Sequence, residues 1–267
     1  MATRIAKGNN KGGVGKSATT INLAAGLAEE GKTVLVVALD PQMNAERRMG
    51  VHVDQDNHPQ PTISEAIKDA RPGVAIDAIH EIAWPEPYRS LIRVIPARYD
   101  LENRVSEAAI PGAVRRLATA MEGVDDDVDY TLFDLPPSLG HLTQLGLCAS
   151  QHTLIVTEPE YDSVGSAVRM RDFIETNAEN FYNPGHRVLG YIVNRYRPQL
   201  GAHNFQLEGM PERFGADMIW KPYIEERTAI KDAADSEVPL RSLGNAVATA
   251  QADNWRTLAQ HLIKVTS

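Results

Sequence analysis

The chain has 267 residues, enough for a full hydrophobic core in one domain of the α/β kind. Hydrophobic residues make up 43% and charged residues 23%, ordinary for a soluble globule, and the longest strongly apolar run, 34–39, is far too short to cross a bilayer. A formal net charge of −8 excludes a protein that is basic throughout, so any nucleic-acid contact must come from a local patch. Cys148 is the single cysteine, which excludes an intrachain disulfide and fits a reducing, cytoplasmic compartment. Residues 1–7 contain no apolar stretch of the kind a secretion signal needs.

Short apolar runs alternate with helix-like stretches. In chain order the runs predicted as strands are 4–6, 33–39, 91–95, 130–133, 152–156, 188–193 and 217–220. Several are apolar and β-branched at successive positions, as expected of parallel strands covered on both faces. Lys7, at the end of the first run, is an odd residue for a central strand. Helical patterns fill the gaps: 17–30, ending at Gly31; a segment opened by the capping box Thr62 and Glu65; 111–121; and 163–178. Stretches 52–61 and 84–87 read as loops, and the acidic run 125–129 reads as a solvated loop, lacking the glycine and distal glutamate of a calcium loop. The alternation predicts right-handed βαβ units, hence a doubly wound, mostly parallel sheet with helices on both faces, in one domain over residues 1–267.

The run Asn-Asn-Lys-Gly-Gly-Val-Gly-Lys-Ser at 9–17 follows the first strand and opens the first helix. In that context it reads as a phosphate cradle. Glycines let the backbone curl so that several N–H groups face one anion, and the helix start adds its positive dipole end. Gly12, Gly13, Val14, Gly15, Lys16, Ser17 and Ala18 would wrap the nucleotide phosphates. Lys16 would reach the β- and γ-phosphates, and the Ser17 hydroxyl would ligate Mg²⁺. The loop departs from the usual P-loop at two places: Asn10 stands where the pattern has glycine, and a second lysine, Lys11, precedes the paired glycines. Lys11 lies at the wrong end of the loop for its own nucleotide and could serve one held by a facing subunit.

This loop resembles the deviant Walker A motif of the ParA/MinD family of ATPases. The resemblance implies that Lys11 crosses a nucleotide-sandwich homodimer and acts like an arginine finger. It extends to Leu39-Asp40-Pro41-Gln42 after the second strand, where Asp40 matches the water-activating acid and Ala38 replaces an earlier acid of the family pattern. That replacement bears on the rate of hydrolysis. It extends again to 130–140, where Asp134 ends an apolar run in Walker B fashion and would hold Mg²⁺ through water. Segments 156–161 and 191–195 also match. Asn194 would hydrogen-bond adenine, an amide offering both donor and acceptor. Residues 222–227 correspond to the segment that lines the base in relatives.

The resemblance implies a slow ATPase that uses ATP and Mg²⁺. ATP would close a homodimer that binds DNA non-specifically, and a ParB-like centromere-binding partner would stimulate hydrolysis. Such a protein is expected in the cytoplasm, associated with the nucleoid. Arg195, Arg197, Arg227 and Lys231 are the positions predicted to contact DNA. The chain looks like the small form, without an N-terminal helix-turn-helix. The alternative is a MinD-like membrane-associated ATPase with an amphipathic C-terminal helix. Trp255, Leu258, Ala259 and Leu262 do fall on one helical face, but the opposite face is poor in lysine and arginine, so packing on the core is expected instead. An iron–sulfur dimer needing two cysteines per subunit is excluded by the single Cys148.

Overall fold

The computed structural model describes residues 2–54 and 60–267. Its strands are Thr3–Gly8 (β1), Val34–Ala38 (β2), His80–Glu81 (β3), Ile92–Ile95 (β4), Tyr130–Asp134 (β5), His152–Thr157 (β6), Arg187–Val193 (β7) and Ile219–Trp220 (β8). Among the described residues they form one sheet of order β3-β4-β2-β5-β1-β6-β7-β8. Every neighbouring pair is parallel except β3 with β4. The doubly wound, mostly parallel sheet read from the sequence is therefore the fold. β5, beside β1, and β2, on the far side of β5, are both wholly buried interior strands, which explains their mostly apolar runs. β3 was not anticipated, because two half-exposed residues at an edge carry no periodic signal.

The helices are Lys16–Glu29 (α1), Asn44–Arg48 (α2), Ile63–Asp69 (α3), Tyr88–Leu91 (α4), Arg116–Ala120 (α5), His141–Ala149 (α6), Tyr161–Asn177 (α7), Gly201–Phe214 (α8), Thr228–Asp235 (α9) and Ala246–Thr266 (α10). One face of the sheet packs on α1, α9 and α10, and the other on α3, α5, α6, α7 and α8. α1 and α10 touch closely at Gly26, where a Cβ would stand 2.8 Å from the Trp255 carbonyl oxygen. Trp255, Leu258, Ala259 and Leu262 are all buried in this layer.

The predicted capping box opens α3: Thr62 Oγ1 accepts from the Ser64 N–H and Glu65 Oε2 from the Thr62 N–H. The helix expected over 111–121 is shorter. Gly112 has φ +78, a single 3₁₀ turn follows at Ala113–Arg115, and α5 begins only at Arg116. The sequence reading gave no bounds for α6 or α8, for opposite reasons. α6 is buried nearly all round, with polar residues among the covered ones, and α8 contains Gly209 and Pro211. The expected loop 84–87 is a loop, whereas 52–61 lies partly outside the described residues. The acidic run is not simply solvated. Asp125 is fully buried, bonded to Arg4 through Nε at 2.8 Å and Nη2 at 2.7 Å and to the Thr131 hydroxyl at 2.6 Å. It anchors the loop to β1 and β5.

Candidate nucleotide site

The site forms at the C-terminal ends of the central strands, where ligands bind in open α/β sheets. β1 ends at Gly8 and the loop turns back into α1. Asn9 ties it down, its Nδ2 donating to the Val156 carbonyl at 2.7 Å and its Oδ1 accepting from the Lys11 N–H at 2.9 Å. Gly13 and Gly15 take φ of +84 and +87, which only glycine adopts freely. Gly15 also has no room for a side chain, since a Cβ would fall 2.4 Å from Asn194 Nδ2. No side chain caps α1, so its first N–H groups stay available for an anion. Lys16 is buried and its Nζ donates to the Lys11 carbonyl at 3.4 Å. Burial pulls its ammonium below the ordinary lysine range, against the opposing pull of Asp134 and Asp40.

Two carboxylates stand over this loop. Asp134 is buried, and its Oδ1 accepts from the Thr20 hydroxyl at 3.0 Å while Oδ2 has no hydrogen-bond partner among the described residues. Burial raises its pKa, with the Ser17 hydroxyl and the Lys16 ammonium pulling the other way. A buried carboxylate oxygen without a partner, beside a serine hydroxyl, is the donor set a hard divalent cation takes. Ser17 and Asp134 therefore fit Mg²⁺. Asp40 is buried at the end of β2, where its Oδ1 accepts from the Gln42 N–H at 3.0 Å and holds the following turn. Ala38 lies in register with Asp134.

Lys11 points away from Lys16. Its Nζ donates to Ser163 Oγ at 2.9 Å and pairs with Glu160 Oε2 at 3.2 Å at the start of α7. Asn194 lies against the loop, with Nδ2 at 3.4 Å from the Gly15 carbonyl and 3.3 Å from Thr19 Oγ1, and Oδ1 accepting from the Arg195 N–H. Beside it opens a cavity of about 330 Å³ lined by Gly13, Gly15, Ala18, Asn194, Ile230 and several charged residues. Arg195, Arg227 and Lys231 line this cavity too. Arg195 Nη1 reaches the Gly13 carbonyl and Glu158, each at 2.9 Å, and its Nη2 reaches Glu226 at 3.1 Å. Arg197 pairs with Glu226, and Arg227 with Glu225.

Several residues at the site were not singled out from the sequence. Thr20 lies three positions after Ser17, on the same helix face, and that spacing could have shown it. Arg48, Glu158, Ser163 and Glu226 reach the site from distant segments. Only the fold brings them together.

The AAA domain family matches residues 2–184. A chromosome-partitioning ATPase, Soj, from Thermus thermophilus is 33% identical over 224 residues, covering 81% of this chain and 79% of that protein. The chain belongs to the ParA/Soj family of P-loop ATPases. An uncharacterised protein of Mycobacterium tuberculosis is 32% identical over 261 residues, 97% of this chain and 78% of its own length. Among solved structures, an ATP complex of Cyanothece McdA has a TM-score of 0.84, with 22% identity over 98% of this chain and 96% of that one, a likeness of fold. ParA/Soj membership agrees with the deviant loop, Asp40 and Asp134 standing together at one strand-end cleft.

Proposed function

We propose that this chain is a partition ATPase: an ATP-bound homodimer that binds DNA non-specifically and positions a plasmid or chromosome, with a ParB-like partner stimulating hydrolysis. The observation that supports this best is Lys11. Its ammonium is held by the buried Ser163 hydroxyl and the exposed Glu160 carboxylate, partly open to solvent, where a facing subunit could take it up. Residues 1–267 act as one ATPase domain, working in the cytoplasm on the nucleoid.

In this reading the glycine loop and Lys16 bind the phosphates, and the start of α1 orients them. Asp40 accepts a proton from the attacking water, and Lys11 meets the developing charge on the transferred phosphoryl group of the partner's nucleotide. Ser17 and Asp134 hold Mg²⁺, which when bound neutralises phosphate charge. Asn194 contacts the adenine. Basal turnover is slow, because a nucleotide switch of this kind waits for its partner to stimulate hydrolysis, and Ala38, in register with Asp134, bears on that rate. Arg195, Arg197, Arg227 and Lys231 contribute to DNA contact. The glutamates paired with the three arginines would have to yield in the dimer.

Sedimentation with random duplex DNA, in ATP and in ADP, tests the reading, with anionic liposomes in parallel. Partition function requires co-sedimentation with DNA in ATP that falls steeply with salt. No ATP-dependent DNA binding at low salt would overturn it. ATP-dependent liposome binding in its place would favour the membrane alternative, against which the burial of Trp255 and Leu258 counts.

A further inference from the structure

The nucleotide cavity has a wall that the phosphate loop does not supply. Arg48, the last residue of α2, lines it together with Gly15 and Ala18. In the sheet, β2 lies on one side of β1 and β7 on the other. α2 follows β2 and Asn194 follows β7, so Arg48 and Asn194 come to the loop after β1 from opposite sides. The Arg48 carbonyl accepts from Nε1 of the buried Trp84 at 3.0 Å, which fixes the end of α2. A second cavity of about 280 Å³ shares Arg48, Ala234 and Asp235 with the first. The arginine therefore stands between two spaces and has room to turn.

The cations around the nucleotide cavity are not alike. Arg195 is held by Glu158 and Glu226, and Arg227 by Glu225. Lys231 is exposed. Arg48 is half-buried, and among the described residues its guanidinium makes no hydrogen bond or ion pair. Covering a guanidinium without giving its five donors a partner is costly. If its only role were to complement the negative end of α2, it could lie exposed, as its neighbour Arg47 does. The carboxylates that act on Arg48 across space are Asp134 first and Asp235 second. Asp134 stands over the phosphate loop, whereas the base is read at Asn194.

We propose that Arg48 is a phosphate-binding residue of the nucleotide site, donating from α2 to the phosphate chain on the side away from Asn194. The inference rests on the reading of this cleft as an ATP site. A planar guanidinium fork matches two phosphate oxygens at once, and phosphate supplies the acceptors that the chain itself does not. The contact also ties α2 to the nucleotide. α2 begins at Asn44, just after the turn that Asp40 holds, so bound nucleotide steadies the segment that follows the water-activating acid.

The experiment measures the affinity of a non-hydrolysable ATP analogue, and hydrogen exchange over residues 44–50, for the full chain, Arg48→Gln and Arg48→Lys. Thermal melts establish that each is folded. Arg48→Lys keeps the charge, so loss of folding in Arg48→Gln leaves the test intact. Affinity should fall at least about tenfold in Arg48→Gln, a change of about 1.4 kcal/mol, and about threefold in Arg48→Lys, which lacks the fork. The analogue should slow exchange over 44–50 in the parent and not in Arg48→Gln, while the start of α1 is protected in both. Equal affinity and equal protection in parent and variants would overturn the role of Arg48 while leaving the nucleotide site standing. A loss that disappears with the 2′-deoxy form of the analogue would put Arg48 on the sugar and overturn the phosphate assignment. Failure of the parent to bind the analogue would overturn both readings.

Discussion

Glu46 is a buried carboxyl group in a place where ionisation is costly. Its Oε1 accepts from the Ala97 N–H at 2.8 Å, and Oε2 has no partner. Burial, with Asp134 and Asp40 nearby, raises its pKa from 4.5 to about 8. The neutral acid therefore belongs to the folded state. Below the unfolded value of 4.5 both states hold the proton and the contribution to stability is complete. As pH rises, unfolding releases that proton, so stability falls until the folded carboxyl itself ionises near about 8. Glu46→Gln removes this slope. Urea unfolding without nucleotide should show the variant gaining on the parent between about pH 5 and about pH 8, by on the order of a few kcal/mol. Parallel curves would show that Glu46 titrates normally. Gly15 sets a second constraint at this scale, because its φ of +87 and the nearby Asn194 amide both oppose a side chain. Gly15→Ala should lower nucleotide affinity at least about tenfold, about 1.4 kcal/mol by isothermal titration, with the fold retained.

At the level of elements, the P-loop helix depends on its neighbour. α1 and α10 meet over Gly26, and an added methyl would sit 2.8 Å from the Trp255 carbonyl and 3.1 Å from Ala259 Cβ. One contact is with backbone, so a side-chain rotation cannot relieve it. Gly26→Ala should cost about 1–3 kcal/mol and lower the midpoint of calorimetric melting by several degrees, despite alanine's better helix propensity. A raised midpoint would mean that α10 moves away at little cost. The same packing explains what the sequence made legible. α1 was visible because Gly31 ends it and its alanine-rich run has helical spacing, and β2 and β5 because central strands are apolar at every position. The phosphate loop, Asp40 and Asp134 were legible because each occupies a fixed spot at a strand end. The bounds of α6 and α8 were hidden, one by burial on nearly every side and the other by Gly209 and Pro211. Glu158, Glu226 and Arg48 were hidden because proximity to the loop arises only when distant strands pair. Asp125 read as solvent-facing because its partner Arg4 lies 121 positions away.

On the scale of the whole molecule, the proposed function turns on where Lys11 rests in the free chain. Lys11 is paired with Glu160, half-exposed at 49%, and bonded to the Ser163 hydroxyl. Exposed ion pairs contribute about 0–1 kcal/mol, so leaving these partners costs little compared with meeting a triphosphate. In the proposed dimer the lysine would have two homes, one in its own chain and one across the interface, with bound nucleotide deciding between them. Lys11→Ala removes the cation from both places without touching the side chains of Lys16 and Ser17 or the first N–H groups of α1. Nucleotide affinity of the isolated chain should stay within about threefold of the parent, under 1 kcal/mol. The ATP-dependent dimer should be lost over the whole accessible concentration range in sedimentation velocity, while the ADP state remains unchanged. Glu160→Gln supplies the opposite displacement. It weakens the first home alone and should favour the ATP dimer by a few-fold, about 1 kcal/mol at most. A Lys11→Ala chain that dimerises in ATP at parental concentrations would mean that the lysine serves only the surface on which it rests, and that subunit association draws on some other contact.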